Sequence, residues 1–225
     1  MKIAIVSDIH SNLQALRAVL DDIQKIDAGL ILCAGDVVGY GGDPNECCNL
    51  ISKAAHLAVF GNHEVAALTG DTIWMNSNAA KAAKWTGSVL DQRSRDYLDK
   101  LELSARTEIS GRMLALYHGS IDSAIEYVYE ESLSPDLLMA AETDVLILGH
   151  THIPYVVRFE QGLAVNPGSV GQPRDMNPKA SYAVLDPVRM ICEIRRVDYD
   201  IESAQKSIAN AGLPVFLAER LLIGR

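Results

Sequence analysis

The sequence predicts an α/β protein whose N-terminal third forms a parallel sheet covered by helices. Short apolar runs of strand length alternate there with segments whose apolar residues recur at helical spacing. The runs are apolar at consecutive positions, which is typical of strands buried on both faces of a parallel sheet. Further along the chain, apolar runs separated by glycine or proline turns predict hairpins. We therefore expect one domain over residues 1–225 with mixed strand pairing.

The N-terminal third contains three predicted strands and two predicted helices. The strands cover residues 3–6, 30–34 and 57–60. The first helix is indicated by apolar residues three and four positions apart: Leu13, Leu16, Val19, Leu20 and Ile23. The second begins at Asp43-Pro44, an N-cap followed by a first-turn proline, and extends to about Ala55. This alternation is typical of parallel strands joined by helices.

Residues 65–103 contain no strand-like run. Helix formers are frequent there, including Ala79, Ala80, Ala82 and Ala83, and Ser94 is placed to cap a further helix. We interpret this segment as a helical insertion within the domain.

Strands return after the insertion. Three hairpins are predicted, pairing residues 107–110 with 113–117, residues 155–159 with 163–165, and residues 181–185 with 190–197. A helix beginning at Ser134-Pro135 and a strand over residues 144–148 lie between the first two hairpins. The tail, residues 201–222, shows two short helical patterns separated by Gly212-Leu-Pro214.

Composition limits the classes of partner. The chain has 20 Lys and Arg residues against 29 Asp and Glu residues, a formal net charge of −9, which argues against binding long nucleic acid. Its four cysteines form no C-x-x-C pattern, so neither a disulfide framework nor a zinc knuckle is indicated. The first apolar run is too short for a signal peptide, and no run approaches membrane-spanning length. We expect a soluble cytoplasmic protein with no membrane partner.

Side chains that bind metals follow nearly every predicted strand. They are Asp8 and His10, Asp36, Asn62 and His63, His118, and finally His150 and His152. Ligands of α/β sheets bind outside the carboxyl ends of strands, so residues distant in sequence can converge on one site there. Glycine adjoins most of these residues, as in Gly35-Asp36 and Gly149-His150, and it permits the sharp exit from a strand.

The donor set predicts the metals and the chemistry. Without His63 it comprises two carboxylates, one amide and four imidazoles, which suits Mn, Fe, Zn, Ni or Co better than Ca or Mg alone. Seven donors exceed the needs of one ion and suit two ions that share a bridging carboxylate. Such a centre activates a bridging hydroxide and clamps the oxygens of an in-line displacement at phosphorus. The sequence therefore predicts phosphoester hydrolysis with two divalent cations, Mn being the first expectation.

The order of these motifs resembles the signature of the calcineurin-like metallophosphoesterases. The matching motifs are Asp8-x-His10, Gly35-Asp36, Gly61-Asn62-His63-Glu64, His118 and Gly149-His150-x-His152. A later segment, Asn166-Pro167-Gly168-Ser169, resembles the small bacterial and archaeal phosphodiesterase branch, which is related to diadenosine tetraphosphatases. The resemblance implies a four-layer α/β/β/α sandwich of two mixed β-sheets flanked by helices.

The resemblance also implies a role for each residue of the motifs. Asp36 would bridge the two ions, and His63 would bind neither. The first ion would be held by Asp8, His10 and His152, and the second by Asn62, His118 and His150. His63 would hydrogen-bond the phosphate or protonate the leaving alkoxide, which suits a side chain that titrates near neutral pH.

One motif departs from the protein-phosphatase branch of the superfamily. That branch carries Asp-Arg-Gly shortly after the bridging aspartate, whereas this sequence has Asp36-Val-Val-Gly39 without the arginine. Arg174 is the best substitute as an anion contact, although it could instead form an ion pair with Asp175. Asn166 is a second candidate for substrate binding, or it could hold the turn before Pro167. Glu64 is expected to cap or orient its helix rather than act as a base.

We therefore expect a metal-dependent phosphoesterase acting on a small phosphoester or nucleotide, with a phosphodiesterase as the first interpretation. The alternatives are a nucleoside polyphosphate hydrolase, such as one acting on dinucleoside tetraphosphates, a phosphomonoesterase or protein phosphatase, and a noncatalytic scaffold of the same fold. Trp74 and Trp85 in the insertion could stack on a base or form an apolar lid. The sequence leaves the oligomeric state open.

Overall fold

Two mixed β-sheets stack face to face and carry helices on their outer faces. The computed structural model describes residues 1–225. The strands are β1 (Lys2–Val6), β2 (Ala28–Cys33), β3 (Leu57–Ala58), β4 (Ser104–Ile109), β5 (Arg112–Tyr117), β6 (Val145–Ile147), β7 (Tyr155–Arg158), β8 (Leu163–Asn166), β9 (Ala180–Asp186) and β10 (Ile191–Val197). The α-helices are α1 (Leu13–Lys25), α2 (Pro44–Ala54), α3 (Asn62–Thr69), α4 (Ser77–Val89), α5 (Gln92–Leu98), α6 (Pro135–Ala140), α7 (Ile201–Asn210) and α8 (Val215–Glu219).

Each sheet combines parallel and antiparallel pairing. The first sheet has the order β10-β9-β1-β2-β3, in which β1, β2 and β3 are parallel and β9 is antiparallel to both of its neighbours. The second has the order β4-β5-β6-β8-β7, with β5, β6 and β8 parallel and the outer strands antiparallel. The predicted α/β class with two mixed sheets is confirmed, and so are the three hairpins, β4–β5, β7–β8 and β9–β10.

The side chains of β1 show how the layers are held together. Because successive strand residues point to opposite faces, Ile3 and Ile5 pack between the sheets, whereas Ala4 and Val6 pack under the helices. All four are fully buried. Burying one isoleucine side chain contributes about 1.5–3 kcal/mol of transfer free energy, so the two isoleucines alone favour sheet stacking by several kcal/mol.

The helices complete the outer layers. Helices α1, α2 and α5 cover the first sheet through the hydrophobic cluster that includes Leu16, Ile51 and Leu98. Helix α6 contributes Leu138 to a smaller cluster with Leu146 on the outer face of the second sheet. The order of layers is therefore helix, sheet, sheet, helix. None of the helices combines the length and the apolar character that crossing a bilayer requires.

The cap of α5 differs from the sequence prediction. Asp91, not Ser94, is the N-cap, and its carboxylate accepts a hydrogen bond of 2.7 Å from the backbone nitrogen of Ser94. Ser94 lies inside the helix, three residues beyond the cap. A cap accepts from the backbone nitrogen two or three positions later. Asp91 and Ser94 are both residue types that cap helices, so the sequence prediction chose the wrong one of the two.

Candidate metal centre

The loops that follow five parallel strands bring the predicted ligands into one buried cluster. These loops leave β1, β2, β3, β5 and β6, and their strand ends meet at one edge of the two stacked sheets. The seven side chains are Asp8, His10, Asp36, Asn62, His118, His150 and His152, and all are buried. This convergence is what the rule for strand ends in α/β sheets predicts.

The first group of ligands consists of Asp8, His10 and His152. Donor atoms of these three side chains all lie within 4.8 Å of one another. His152 Nε2 is 3.3 Å from Asp8 Oδ1 and 3.0 Å from His10 Nε2. Three donors around one point, at these separations, have the dimensions of a site for a single cation.

A second group lies beside the first and is reached through Asp36. Donor atoms of Asp36, His118 and His150 lie within 4.8 Å of one another. Asp36 Oδ2 is 3.2 Å from His118 Nε2 and 3.6 Å from His10 Nε2 of the first group. Asn62 Oδ1 adds a further donor, 3.0 Å from His118 Nε2. The Asp36 carboxylate therefore lies between the groups, where a bridging ligand would lie.

Backbone carbonyls orient all four imidazoles. The Nδ1 atoms face carbonyl oxygens in three rings: His10 at Val38 (3.1 Å), His118 at Ala34 (2.8 Å) and His152 at Gln172 (2.5 Å). In His150 it is Nε2 that faces the carbonyl oxygen of Ile125, at 3.2 Å. A carbonyl oxygen can only accept, so the nitrogen facing it carries a hydrogen, and in a neutral ring the other nitrogen presents a lone pair. This arrangement is typical of histidines that bind metals.

The donor atoms of the first group are arranged as they would be around a cation. Asp8 Oδ1 is buried and has no hydrogen-bond partner. With Nδ1 of His10 and of His152 protonated toward carbonyls, their Nε2 lone pairs face each other across 3.0 Å. Three electron-rich atoms thus share one buried region. They repel one another, and a positive charge placed between them would stabilise the arrangement.

The loops carrying the ligands adopt strained backbone. Five ligands have left-handed φ angles, namely Asp8 (52°), His10 (50°), Asp36 (51°), His150 (66°) and His152 (59°). Each such non-glycine residue costs about 1–3 kcal/mol, and such strain concentrates at functional sites. The strain allows a chain leaving a buried strand to turn its next side chains into the site at once.

Two glycines let the backbone approach the centre closely. A Cβ atom at Gly61 would overlap Oδ1 of Asp36, and a Cβ at Gly39 would overlap the ring of His63. Gly39 also has a φ of +101°, a conformation that residues with a side chain rarely adopt. Both positions therefore require glycine for the site to keep its geometry.

Glu64 ties two of the ligand loops together. Its carboxylate accepts hydrogen bonds from the backbone nitrogens of Asp36 (2.9 Å), Val38 (3.0 Å) and Gly61 (2.7 Å). Burial, followed by the charge of Asp36, raises the pKa of Glu64 to about 7. All of its contacts are to backbone N–H groups at the start of α3 and in the Asp36 loop. The expected capping and orienting role of Glu64 is confirmed.

The pKa values within the cluster follow from burial and from the two carboxylates. Burial alone would raise the pKa of Asp36, but the neighbouring His118 and His63 lower it overall. Burial lowers the pKa of His150 to about 4 and, together with Arg174, that of His152 to about 3. Both rings are therefore neutral at pH 7, which is the form that binds a metal.

The pKa of His118 is raised, whereas those of His150 and His152 are lowered. Burial lowers its pKa, but the Asp36 carboxylate outweighs burial and raises that pKa to about 10. A proton is therefore retained between His118 Nε2 and Asp36 Oδ2, which are 3.2 Å apart. Without a metal ion, that proton supplies the positive charge at the position where the second group would hold a cation.

His63 lies beside the ligands, at the wall of a cavity. Its ring centroid is 4.7 Å from that of His10 and 4.4 Å from that of Tyr40, and its backbone nitrogen donates to Asp36 Oδ1 at 2.8 Å. Its Nδ1 atom is buried without a hydrogen-bond partner. Burial holds the pKa of His63 well below its ordinary value. The ring is thus neutral and close to the ligands, and it lines the cavity that a substrate would enter.

The cavity itself has a volume of about 140 Å³. Its thirteen lining residues are Asp36, Tyr40, Asn62, His63, Trp74, Met75, Asn76, Ala79, Ile125, Tyr127, His150, His152 and Arg174. A larger groove, of about 680 Å³, lies between α2 and α5 and contains none of the predicted ligands. We take the smaller cavity as the functional one because it opens directly onto the buried cluster.

Arg174 is the cationic side chain of this cavity. Its Nη2 atom donates to Tyr40 Oη (3.3 Å) and to Gln172 Oε1 (3.1 Å), while its buried Nε has no partner. The alternative pairing with Asp175 was wrong, because the Asp175 carboxylate pairs with Arg196 instead. Arg174 therefore faces the cavity without a carboxylate partner, as an anion contact requires.

Asn166 has the turn role rather than the role in substrate binding. Its side chain is fully buried and does not line the cavity. Its amide nitrogen donates to the carbonyl oxygen of Gly149 (2.7 Å) and to Thr151 Oγ1 (3.0 Å), and its Oδ1 accepts from the backbone nitrogen of Gly168 (2.9 Å). Because all of these partners are protein atoms, Asn166 holds the His150–His152 loop against the turn that follows β8.

Two residues of the site escaped the sequence analysis. Tyr127 lies on the cavity wall with its ring stacked on His150, at a centroid separation of 4.0 Å. Gln172 supplies both the carbonyl that orients His152 and the amide oxygen that holds Arg174. Tyr127 belongs to a loop without a motif, and a backbone carbonyl leaves no trace in a sequence. The one available signal was Tyr127-Val-Tyr129, a pair of aromatic residues in the loop between β5 and α6.

Comparison with known proteins places this geometry in context. Residues 1–190 match the family model of the calcineurin-like phosphoesterase superfamily domain. The chain is 39% identical to the uncharacterized protein MJ0912 of Methanocaldococcus jannaschii, with 99% of this chain and 98% of that protein covered. It is 27% identical to phosphodiesterase YfcE of Escherichia coli, covering 83% and 88% of the two chains. A metallophosphoesterase structure from Sphaerobacter thermophilus is 34% identical with a TM-score of 0.86, covering 100% of this chain and 99% of that one.

Proposed function

Since the chain belongs to the calcineurin-like phosphoesterase superfamily, we propose that it is a metal-dependent phosphodiesterase acting on small phosphoesters. One observation carries the proposal: Asp36 lies between two groups of buried donors whose histidines are oriented by backbone carbonyls. This cluster opens onto a cavity that holds His63 and Arg174. The similarity to a phosphodiesterase at 27% identity supports the reaction class.

The donor groups assign the ligands of two divalent ions. Asp8, His10 and His152 would hold one, Asp36 would be shared, and the second would be held by Asn62, His118 and His150. Bound ions supply Lewis acidity toward phosphoryl oxygens and a nucleophile derived from water at neutral pH. Manganese is our first candidate, because a mixed carboxylate and imidazole set without thiolate suits it, although iron, zinc, nickel and cobalt suit the set as well.

His63 is proposed to act on the phosphate and on the leaving group. A neutral imidazole donates one hydrogen bond, which suits an unesterified phosphoryl oxygen in the cavity. An anionic substrate nearby favours the protonated ring, which can then give its proton to the leaving oxygen. Because His63 does not need to bind a metal for either role, its loss should affect turnover more than metal content.

Arg174 is proposed to bind a phosphate oxygen. A planar guanidinium matches two oxygens of a phosphate, and Tyr40 and Gln172 already hold this one in place. It is the sole arginine or lysine among the residues lining the cavity.

A plate assay tests the proposal. Protein reconstituted with Mn²⁺ is given bis(p-nitrophenyl) phosphate, p-nitrophenyl phosphate and a dinucleoside tetraphosphate, with metal-free protein as the control. We expect metal-dependent hydrolysis, fastest on the diester. Preference for the tetraphosphate would replace the proposal with a nucleoside polyphosphate hydrolase, and preference for the monoester with a phosphatase. No hydrolysis of any of the three, with metal bound, would favour a scaffold of the same fold.

A further inference from the structure

The mouth of the metal cavity is lined by exposed aromatic side chains from two separate loops. Trp74, between α3 and α4, is 37% exposed, and Tyr127, between β5 and α6, is 47% exposed. Both line the cavity that contains Asp36, His63 and Arg174. Tryptophan and tyrosine combine a large apolar face with a polar tip, which suits them to contact a ligand at the mouth of a cavity. We call Trp74 and Tyr127 the aromatic rim.

We propose that the aromatic rim binds the base of a nucleoside whose phosphate occupies the metal centre, so that the substrates are small nucleotide esters. This inference rests on the proposed function, since the phosphate must lie at the ligand cluster. It adds the identity of the organic group that the phosphate carries.

Backbone hydrogen bonds fix the loop that carries Trp74. The backbone nitrogen of Met75 donates to the carbonyl oxygen of Thr72 at 3.0 Å, which closes a turn around Trp74. Immediately after it, Asn76 caps α4 by accepting from the backbone nitrogens of Asn78 and Ala79, at 3.1 and 3.0 Å. A loop that is already folded loses less conformational entropy on binding a ligand than a loop that must first become ordered.

Tyr127 is fixed from the other side of the cavity. Its ring lies against His150 with a centroid separation of 4.0 Å, and the ring of Tyr129 lies parallel to it at 5.9 Å. The stack therefore runs from the protein surface to a metal ligand. Tyr127 therefore lies between the metal ligand His150 and the solvent at the cavity.

The remaining contacts favour a nucleoside over an aliphatic group. The enclosed cavity, about 140 Å³, corresponds to roughly five water molecules, so it admits a phosphate while the attached group lies across the mouth. Stacking on aromatic rings accepts any base, because every base has a flat π face. Asn76 also lines the cavity, and its side-chain nitrogen has no intramolecular acceptor. That nitrogen is free to donate to the sugar or the base.

Tryptophan fluorescence tests the inference without requiring turnover. The chain has two tryptophans, so Trp85→Leu leaves Trp74 as the sole reporter. Trp85 lies on a different surface groove and does not line the metal cavity. The Mn²⁺-loaded variant is excited at about 295 nm, where bases absorb weakly, and titrated with AMP or with ribose 5-phosphate. The two ligands carry the same phosphate and differ only in the base.

We expect AMP to quench Trp74 and to bind about 5- to 150-fold more tightly than ribose 5-phosphate, the range given by stacking one base on an aromatic ring. Binding measured by calorimetry in a Trp74→Leu variant should lose most of that advantage. Trp74→Phe should retain it, and ribose 5-phosphate should bind all of these proteins equally. Equal affinity of the parent protein for the two ligands, with no quenching by AMP, would overturn the inference.

The proposed function and this inference can fail separately. Hydrolysis of bis(p-nitrophenyl) phosphate without any preference for AMP would refute the proposed role of the aromatic rim and support the proposed phosphodiesterase activity. Preferential binding of AMP at Trp74 without hydrolysis of any ester would support a nucleotide-binding site at the rim and refute the proposed phosphodiesterase activity.

Discussion

The ligand cluster and the aromatic rim border the same cavity but are built in different ways. The ligands are buried, sit on strained backbone and have their rings fixed by main-chain carbonyls. The rim residues, Trp74 and Tyr127, are exposed and held by a turn and by stacking. The cluster is therefore part of the folded core, and changes to it should alter metal binding and stability together. Trp74 is a surface residue outside the cluster, and changes to it should alter only which esters are bound.

Asp36→Asn should have the largest effect. The amide is neutral and a poor bridge, so we expect fewer than two ions per chain and a loss of activity of at least about a thousandfold, or about 4 kcal/mol of barrier. Metal content by elemental analysis and kcat on a diester measure both. The control is Asp21→Asn, which makes the same change at an exposed position. Full activity with two ions in Asp36→Asn would show that the two groups do not share this carboxylate.

His63→Ala separates catalysis from metal binding. We expect unchanged metal content and a fall in turnover of roughly 10²–10⁴-fold on esters with alkyl leaving groups, because these need a proton. On p-nitrophenyl esters, whose leaving group departs as a stable anion, the fall should be smaller. Steady-state kinetics on both ester types give the comparison, with His56→Ala at an exposed position as the control. An equal fall on both would assign His63 to phosphate binding alone.

Glu64→Gln tests whether the support beneath the cluster matters. The amide cannot accept all three backbone N–H bonds as the carboxylate does, so we expect a loss of roughly 1.5–3 kcal/mol in the free energy of unfolding. Metal affinity should fall by about 10- to 100-fold because the loop of Asp36 loosens. Denaturant titrations and metal titrations provide the two readouts. The exposed Glu46→Gln should change neither.

Asp22→Asn lies far from both regions and should have the smallest effect. Asp22 on α1 pairs with Arg195 on β10 at 2.9 Å and accepts a hydrogen bond from Tyr182 Oη at 2.7 Å. Because both partners of the ion pair are partly exposed, we expect a loss of roughly 0.5–1 kcal/mol in stability and no change in activity.

The pH dependence of that loss has a definite sign. The hydrogen bond from Arg195 lowers the pKa of Asp22 below its ordinary value of 3.8. The stabilisation is therefore complete above pH 3.8 and is lost as the pH falls through the lower, folded-state value. The difference between wild type and Asp22→Asn should shrink in acid when unfolding is followed as a function of pH. A difference that grows in acid would contradict the ion pair.

The cluster could be predicted from the sequence, whereas the rim could be predicted only in part: Trp74 was a candidate for stacking on a base, and Tyr127 was not. Asp8, Asp36 and His118 each follow a recognisable strand, and the parallel arrangement of those strands brings their ends together. Trp74 and Tyr127 come from loops of irregular structure, and only packing of the chain places both on one cavity.

The partners of individual polar side chains were also not predictable from the sequence. Asn166 before Pro167 has the same sequence context whether it binds a ligand or a turn, and the structure places it in the turn. Asp175 is adjacent to Arg174 in sequence, yet its partner is Arg196, from another strand. Sequence spacing predicts which residues leave the same strand end, whereas pairing between side chains depends on the fold.

The number of divalent ions bound per chain tests the central claim most directly. The protein is stripped with a chelator, reconstituted with Mn²⁺, desalted and analysed for metal against protein concentration. Two donor groups that share Asp36 predict two ions per chain, with fewer in Asp36→Asn. One ion per chain, or none, would contradict the dinuclear centre on which the proposed hydrolysis depends.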